Sequence, residues 1–564
     1  MSKEREYIVT LKKYEDLDAF YEDMETPGGN LTIPNRIVDC CNRREISRNT
    51  HYMLTDEEVE LIKNDPRVLD CSLTPNDLPI GISKCWEQFD AFEKSSSIDT
   101  YDKNWGLYRT VNGHFSNWGT NSTFTQIIGD VTTTSSGKNV DVVVVDSHIN
   151  PNHPEFAVNP DGTGGSRVNQ FNWFSYSSAL GFTTQNTYEY NVKTSEHGTH
   201  VAGTVAGNTQ GWARDSNIYN MEFLSSGVTG SPVNWELYLF DYLRYFHKNK
   251  SINPVTGRRN PTITNNSWGY FYFGDTQNNS GQSLSRIQSV TYRGVKTSLS
   301  GLTVEQKRTE LESRGFAVPY SSYFYQVPYF YSALNADVED AIADGVIVVA
   351  AAMNSTWNLP NYSSQDIDNN YEYTYTNNVT YSYYPNYGGS PAAAEGCIRV
   401  AAIGSKNEEY KALFTNYGER ITVWAPGTNI VSSVYSTAAA TEYGITLAND
   451  PRNSSYKLGS ISGTSMASPQ VCGVLACIAE QEPSMKQSDA VQYLLETSTA
   501  TVGSQGSPSQ SPYEGLGDSP NLYLNYKFKR QLEGSLQQTL FKNRNATVKG
   551  VKYPRVNIKI TKSV

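Results

Sequence analysis

No stretch of this 564-residue chain is apolar for long enough to form a membrane-spanning helix, which takes roughly 18 residues or more; no membrane partner is expected. Positive charge is in deficit, with 46 Lys and Arg against 57 Asp and Glu, a net charge of −11 and a pI near 5.3. That balance argues against binding nucleic acid through bulk electrostatics. Cysteine is sparse and odd in number: Cys40, Cys41, Cys71, Cys85, Cys397, Cys472 and Cys477. Without metal-type spacing they read as free thiols in a reducing setting, with Cys472 and Cys477 as small core residues. A disulfide inside the N-terminal region stays open. Met1 to Tyr7 lacks the apolar core of a secretory signal, so the expected place of action is intracellular, or outside after lysis or within a particle. At 38% hydrophobic and 18% charged residues the chain is globular and long enough for more than one domain.

What is present is concentrated in a few short segments. Val142-Val143-Val144-Val145-Asp146 is a β-branched run ending in a carboxylate, the signature of a strand buried on both faces of a parallel sheet. Its Asp stands at the carboxyl edge, where open α/β folds place ligands. In His197-Gly198-Thr199-His200-Val201-Ala202-Gly203, small residues let a helix pack closely and hold the first imidazole. His197 and His200 are only three apart with no third ligand cluster nearby, so no metal site is expected. Gly463-Thr464-Ser465-Met466-Ala467-Ser468-Pro469 sets a serine at a helix start, where unpaired N–H groups and the helix dipole favour a nearby anion. Alone, each segment is ordinary: a buried strand, a core histidine, a cap. Together they supply a hydroxyl nucleophile, its base and the base's orienting carboxylate.

In that order the three segments resemble the Asp, His and Ser boxes of the subtilases. The resemblance implies that Asp146 orients His197, that His197 takes the proton of Ser465, and that Ser465 attacks a peptide carbonyl. It implies a side-chain donor to the oxyanion, and the apolar run Val346 to Ala352 leading through Met353 to Asn354 fits it. It also implies a strand edge that pairs with substrate backbone, matched by Asn266-Ser267-Trp268-Gly269. Ser267, Trp268, Gly269, Ala352 and Met353 are thus the expected substrate-binding residues, with a polypeptide as substrate. Two positions depart from the family pattern. His148 replaces a glycine after Asp146-Ser147 and is expected to face solvent, the alternative being a ring that crowds the triad. Met353 replaces the glycine before Asn354 and is expected to line or narrow the primary specificity pocket.

The fold expected is α/β, a subtilisin-like and mostly parallel sheet with helices on both faces, preceded by a small α+β domain. Residues 1–80 resemble the subtilase propeptide in a strand-helix-helix-strand order, with Thr55 and Glu58 forming a helix-capping box; a generic α+β appendage is the plainer reading. If the resemblance holds, this domain is an intramolecular inhibitor, Ser72 to Ile82 feeds the chain through the cleft, and self-cleavage falls between Asn76 and Asp99. Residues 81–118 connect to the mature arm, with Trp105-Gly106-Leu107 at its start, and 119–500 form the catalytic domain. Tyr270 to Ser332 and Trp357 to Tyr384 are Tyr-rich inserts that read as surface loops flanking the cleft. Glu155 stands where many subtilases hold calcium, but the short loop at Asn208 to Trp212 argues against that ion; catalysis requires no cofactor. Residues 501–564 are a Ser/Gly/Pro-rich linker and a basic tail, either a solvated end or a docking element for an acidic partner. Tail and absent signal are similar to subtilase-like proteins of tailed phages, which implies a virion association. The alternative to a self-inhibited serine endopeptidase is a non-catalytic docking or structural protein that keeps the fold.

Overall fold

The computed structural model describes residues 4–26, 38, 40–84, 105–113, 131, 133–182, 188, 190, 197–224, 235–272, 282–316, 318, 323–324, 327–404, 409–445, 447–503 and 516–527. Residues 1–526 form one compact unit. Its centre is a seven-stranded sheet in the order Val423–Pro426, Ile398–Ile403, Ile347–Ala351, Thr262–Asn266, Asp141–Asp146, Asn217–Glu222 and Val168–Asn169. Every pairing in it is parallel. Asp141–Asp146 is buried at all six positions, as a β-branched run covered on both faces requires. After this strand the chain builds one half of the sheet, then returns to its other side at Thr262–Asn266. That reversal opens a crevice at the carboxyl ends of these two neighbouring strands. Helices His197–Ala206 and Thr464–Gln481 pack against each other, and Leu239–Asn249 packs against Ser332–Ala343.

The N-terminal residues form an antiparallel sheet in the order Cys40–Arg43, Asn49–Leu54, Arg5–Leu11, Val68–Leu73. Helices Leu17–Glu25 and Asp56–Ile62 share one apolar cluster with it, including Val9, Phe20, Met24, Tyr52, Val59 and Ile62. The Thr55–Glu58 capping box is present. The sequence expectation lacked the two strands between the helices. Asn49–Leu54 has no alternation to read, because Thr50 and His51 are buried along with Tyr52 and Leu54. The turn between these strands is locked to helices Leu239–Asn249 and Ser332–Ala343. Arg44, wholly buried, pairs with Asp241 at 2.8 Å and Asp337 at 2.7 Å, and Arg48 pairs with Glu339 and Asp340.

The two Tyr-rich inserts are not separate loops. Strands Val295–Ser298 and Ile287–Tyr292 of the first join Asn370–Thr374 and Thr380–Tyr383 of the second in one four-stranded sheet. Its own core contains Leu284, Ile287, Val290, Leu311, Trp357, Tyr371 and Tyr383. The alternating tyrosines at 371, 373 and 375 are the period-2 signal of a half-buried strand. Near the C-terminus, residues 516–526 return to the central sheet, where Trp424 donates to Leu522 and accepts from Leu524, both at 2.8 Å. The basic tail beyond Lys527 lies outside the described residues. Cys40, Cys71, Cys397, Cys472 and Cys477 are free thiols, and burial pushes those of Cys71 and Cys397 up to about 12.

Candidate active site

The apolar strand delivers Asp146 to the sheet's carboxyl edge, and His197 opens the helix that crosses it. Nδ1 of His197 stands 2.7 Å from Oδ1 and 3.0 Å from Oδ2 of Asp146, with both side chains fully buried. The backbone N–H of Ser147 also donates to Oδ1 of Asp146, at 2.7 Å. The histidine helix is pinned close by: the N–H of Gly198 donates to Ser147 Oγ at 2.8 Å. Only glycine permits that approach, because a Cβ on Gly198 would lie 2.3 Å from the Ser147 carbonyl oxygen.

Ser465 sits in the first turn of helix Thr464–Gln481. Pro469 has no N–H to give, so the Ser465 carbonyl four residues earlier has no helical partner; Ser267 Oγ donates to it at 3.0 Å. The Ser465 hydroxyl in turn donates to the Ser267 carbonyl at 2.9 Å. Asn265 ties the same two elements, donating from Nδ2 to Ser267 Oγ and accepting from Ser468 Oγ, both at 2.8 Å. Sequence reasoning missed this role of Asn265, whose signal was its place two residues ahead of Ser267. Asn354 adjoins the serine from the other side. Its Oδ1 accepts from the N–H and hydroxyl of Thr464 at 3.0 and 2.8 Å. Its Nδ2 is buried and makes no hydrogen bond, leaving a donor unspent beside the serine turn. Ala352 is held by its N–H on the Val400 carbonyl at 2.9 Å, and Met353 is buried at a φ of 73°.

Ser267 leads into strand Trp268–Tyr272, and a segment of the protein's own chain lies along it. Ile80–Lys84 pairs antiparallel with this strand through five consecutive residues, Trp268 opposite Lys84, Gly269 opposite Ser83, and Tyr270, Phe271 and Tyr272 opposite Ile82, Gly81 and Ile80. The edge read as a docking strand for substrate backbone is therefore occupied by the residues that follow the N-terminal sheet.

Three neighbouring groups behave as follows. His148 is buried, against the expectation of a solvent-facing ring: Nδ1 lies 2.8 Å from Glu222 Oε2 and the ring packs on Tyr435. The cause is register, since Glu222 is the cross-strand partner of Asp146. His200 donates from Nε2 to the carbonyls of Ile430 and Gly459 at 3.0 and 3.2 Å. Burial, aided by the nearby His197, pushes it down to about 3, so it remains neutral at working pH. Glu155 is fully buried and already satisfied, accepting from the N–H groups of Thr209 and Gln210 at 3.0 Å each and from the Arg452 guanidinium. A carboxylate neutralised by arginine does not fit a calcium ion at this place. Among the described residues no cluster of three or more His, Cys, Asp or Glu is built to hold a metal, and no helix is long and apolar enough to cross a membrane.

Comparison with known proteins places the chain in a family. The model of the subtilase family matches residues 137–517. An alkaline proteinase of Hapsidospora chrysogena is 25% identical over 470 residues, covering 81% of this chain and 78% of its own length. The subtilisin-like serine protease Pen c 2 of Penicillium citrinum is 23% identical over 444 residues, covering 77% and 68% respectively. A cold adapted subtilisin-like serine proteinase of known structure is 19% identical, covers 75% of this chain and 98% of that one, and superposes with a TM-score of 0.42. The chain belongs to the subtilase family and is a subtilisin-like serine endopeptidase.

Proposed function

We propose that the protein hydrolyses peptide bonds through Asp146, His197 and Ser465, with Asn354 as oxyanion donor, and that it is made as a self-inhibited zymogen. The observation that carries the first part is the buried Asp146–His197 pair, with Ser465 in the first turn of the helix that packs on the histidine helix and its hydroxyl directed to the substrate edge. For attack, that hydroxyl turns from the Ser267 carbonyl to Nε2 of His197, which takes its proton while Asp146 stabilises the imidazolium. The serine oxygen bonds to the carbonyl carbon, and the negative oxygen receives the free Nδ2–H of Asn354. Collapse breaks the C–N bond, His197 returns the proton to the departing amine, and an acyl-enzyme remains. Water then repeats the sequence, with His197 as base, to release the acid.

The occupied edge strand supports self-inhibition. Ile80–Lys84 uses the backbone groups a substrate needs, and the N-terminal sheet that precedes it is anchored through Arg44 and Arg48. The basic tail as a docking element for an acidic partner belongs to residues whose arrangement is not described. The test is processing of the full chain. Wild type is expected to lose its N-terminal domain and hydrolyse casein, whereas Ser465→Ala stays full length and inactive. Equal trimming and equal hydrolysis by both proteins would overturn the assignment.

A further inference from the structure

We propose that the Met353 side chain closes the subsite for the residue just before the scissile bond, making the enzyme selective for small side chains there. The proposal rests on the reading of Ser465 as nucleophile and of Trp268–Tyr272 as the substrate edge.

The argument starts from register. Residues directly opposite each other in an antiparallel pair project to the same face, so the Ser83 side chain shares its face with the position of a Cβ on Gly269. Side chains two residues apart along a strand also share a face. A peptide bound as Ile80–Lys84 is bound therefore carries, two residues beyond the Ser83 position, a side chain on that same face and opposite Ser267. That residue is the one before the cut, because the Ser267 carbonyl holds the Ser465 hydroxyl.

Met353 fills that face. A Cβ on Gly269 would meet its Sδ at 3.0 Å, its Cγ at 3.2 Å and its Cε at 3.4 Å. From the opposite side, a Cβ on Gly389 would meet Sδ at 2.2 Å. The thioether is thus lodged between two glycines, 1% exposed and in one cluster with Phe271 and Ala351. Its backbone is fixed as well, with φ at 73° and its carbonyl accepting from the Asn416 N–H at 3.0 Å. Glycine would adopt that backbone without strain, so methionine sits here against its own conformational preference. What it adds is volume in the subsite. In the sequence the residue after Lys84 is Cys85, whose side chain is small.

The test uses quenched peptides of the form Ile-Gly-Ile-Ser-Lys-X-Trp, with X as Ala, Cys, Leu or Phe, and processed wild-type, Met353→Gly and Met353→Ala enzymes. The readout is the ratio of kcat/KM for X = Phe over X = Ala. Wild type is expected to favour Ala by about 100-fold, and Met353→Gly to raise the Phe/Ala ratio by at least about 30-fold, with Met353→Ala between them. Wild type cutting after Phe as well as after Ala, or an unchanged ratio in both variants, would overturn the closure while leaving Ser465 as nucleophile intact. Failure of wild type to react with a fluorophosphonate would instead remove the underlying reading, and this proposal with it.

Discussion

Arg44→Met should release the N-terminal domain, and the structure sets the size of the effect. The guanidinium is 0% exposed; it donates to Asp241 at 2.9 Å, Asp337 at 2.7 Å and the Leu237 carbonyl at 2.9 Å. Its loss leaves two carboxylates buried without their cation, which costs about 3–5 kcal/mol. At about 1.4 kcal/mol per tenfold, docking weakens by between about 10² and 10⁴. The penalty depends on pH with a definite sign. Burial raises the Asp241 carboxyl to about 6, with Arg44 opposing that rise, so removing Arg44 moves it higher still. A carboxyl whose pKa is raised in the docked state favours docking in acid and opposes it as pH climbs through that value. The variant should therefore be mildly affected at pH 5 and strongly at pH 8. The assay is amide hydrogen exchange across Arg5–Leu11, Asn49–Leu54 and Ile80–Lys84 in a Ser465→Ala background, which keeps the chain whole. Protection should fall at pH 8 and return when Asp241→Asn and Asp337→Asn are added to Arg44→Met. Unchanged protection at pH 8 in the single variant would refute the reasoning.

Asn354→Ala should lower kcat by about 10²–10³ with little change in KM, because its free Nδ2 acts on the transition-state oxygen; an unchanged kcat in steady-state kinetics would count against it. The acid limb of kcat/KM against pH should rise with a slope of one as a single imidazole loses its proton. His200, pushed down to about 3 by burial, adds no second step above pH 4, and a slope of two would contradict this. Arg452→Met leaves the fully buried Glu155 without its cation and should destabilise the fold by about 3 kcal/mol, read as a lower urea midpoint. An unchanged midpoint would show that the pair contributes nothing.

The parts of the site that were legible in the sequence are those whose chemistry needs a fixed residue in a fixed local frame. Asp146 follows a run of four valines that has only one home, inside a parallel sheet. His197 and Ser465 open helices rich in small residues. Local sequence could not give what depends on register between distant strands. His148 is buried because Glu222, 74 residues on, lies beside Asp146 in the sheet. For the pairing of Ile80–Lys84 with Trp268–Tyr272, the resemblance gave a chain segment passing through the cleft, but two short strands carry no signal for their register. The tyrosine inserts misled for a similar reason: each supplies half of a sheet, and neither half has a core until the other is present. The Met353 substitution was visible as a departure from glycine, but its position between Gly269 and Gly389 is a property of three separate segments.

Every step of the mechanism requires that one serine be activated by the buried Asp146–His197 pair. Fluorophosphonate labelling, followed by mass spectrometry of the tryptic peptides, measures this most directly in wild type, His197→Ala and Asp146→Asn. The adduct is predicted on Ser465 alone in wild type, with the labelling rate falling by at least about 10³-fold in both variants. An adduct on another residue, or equal rates in all three proteins, would contradict it.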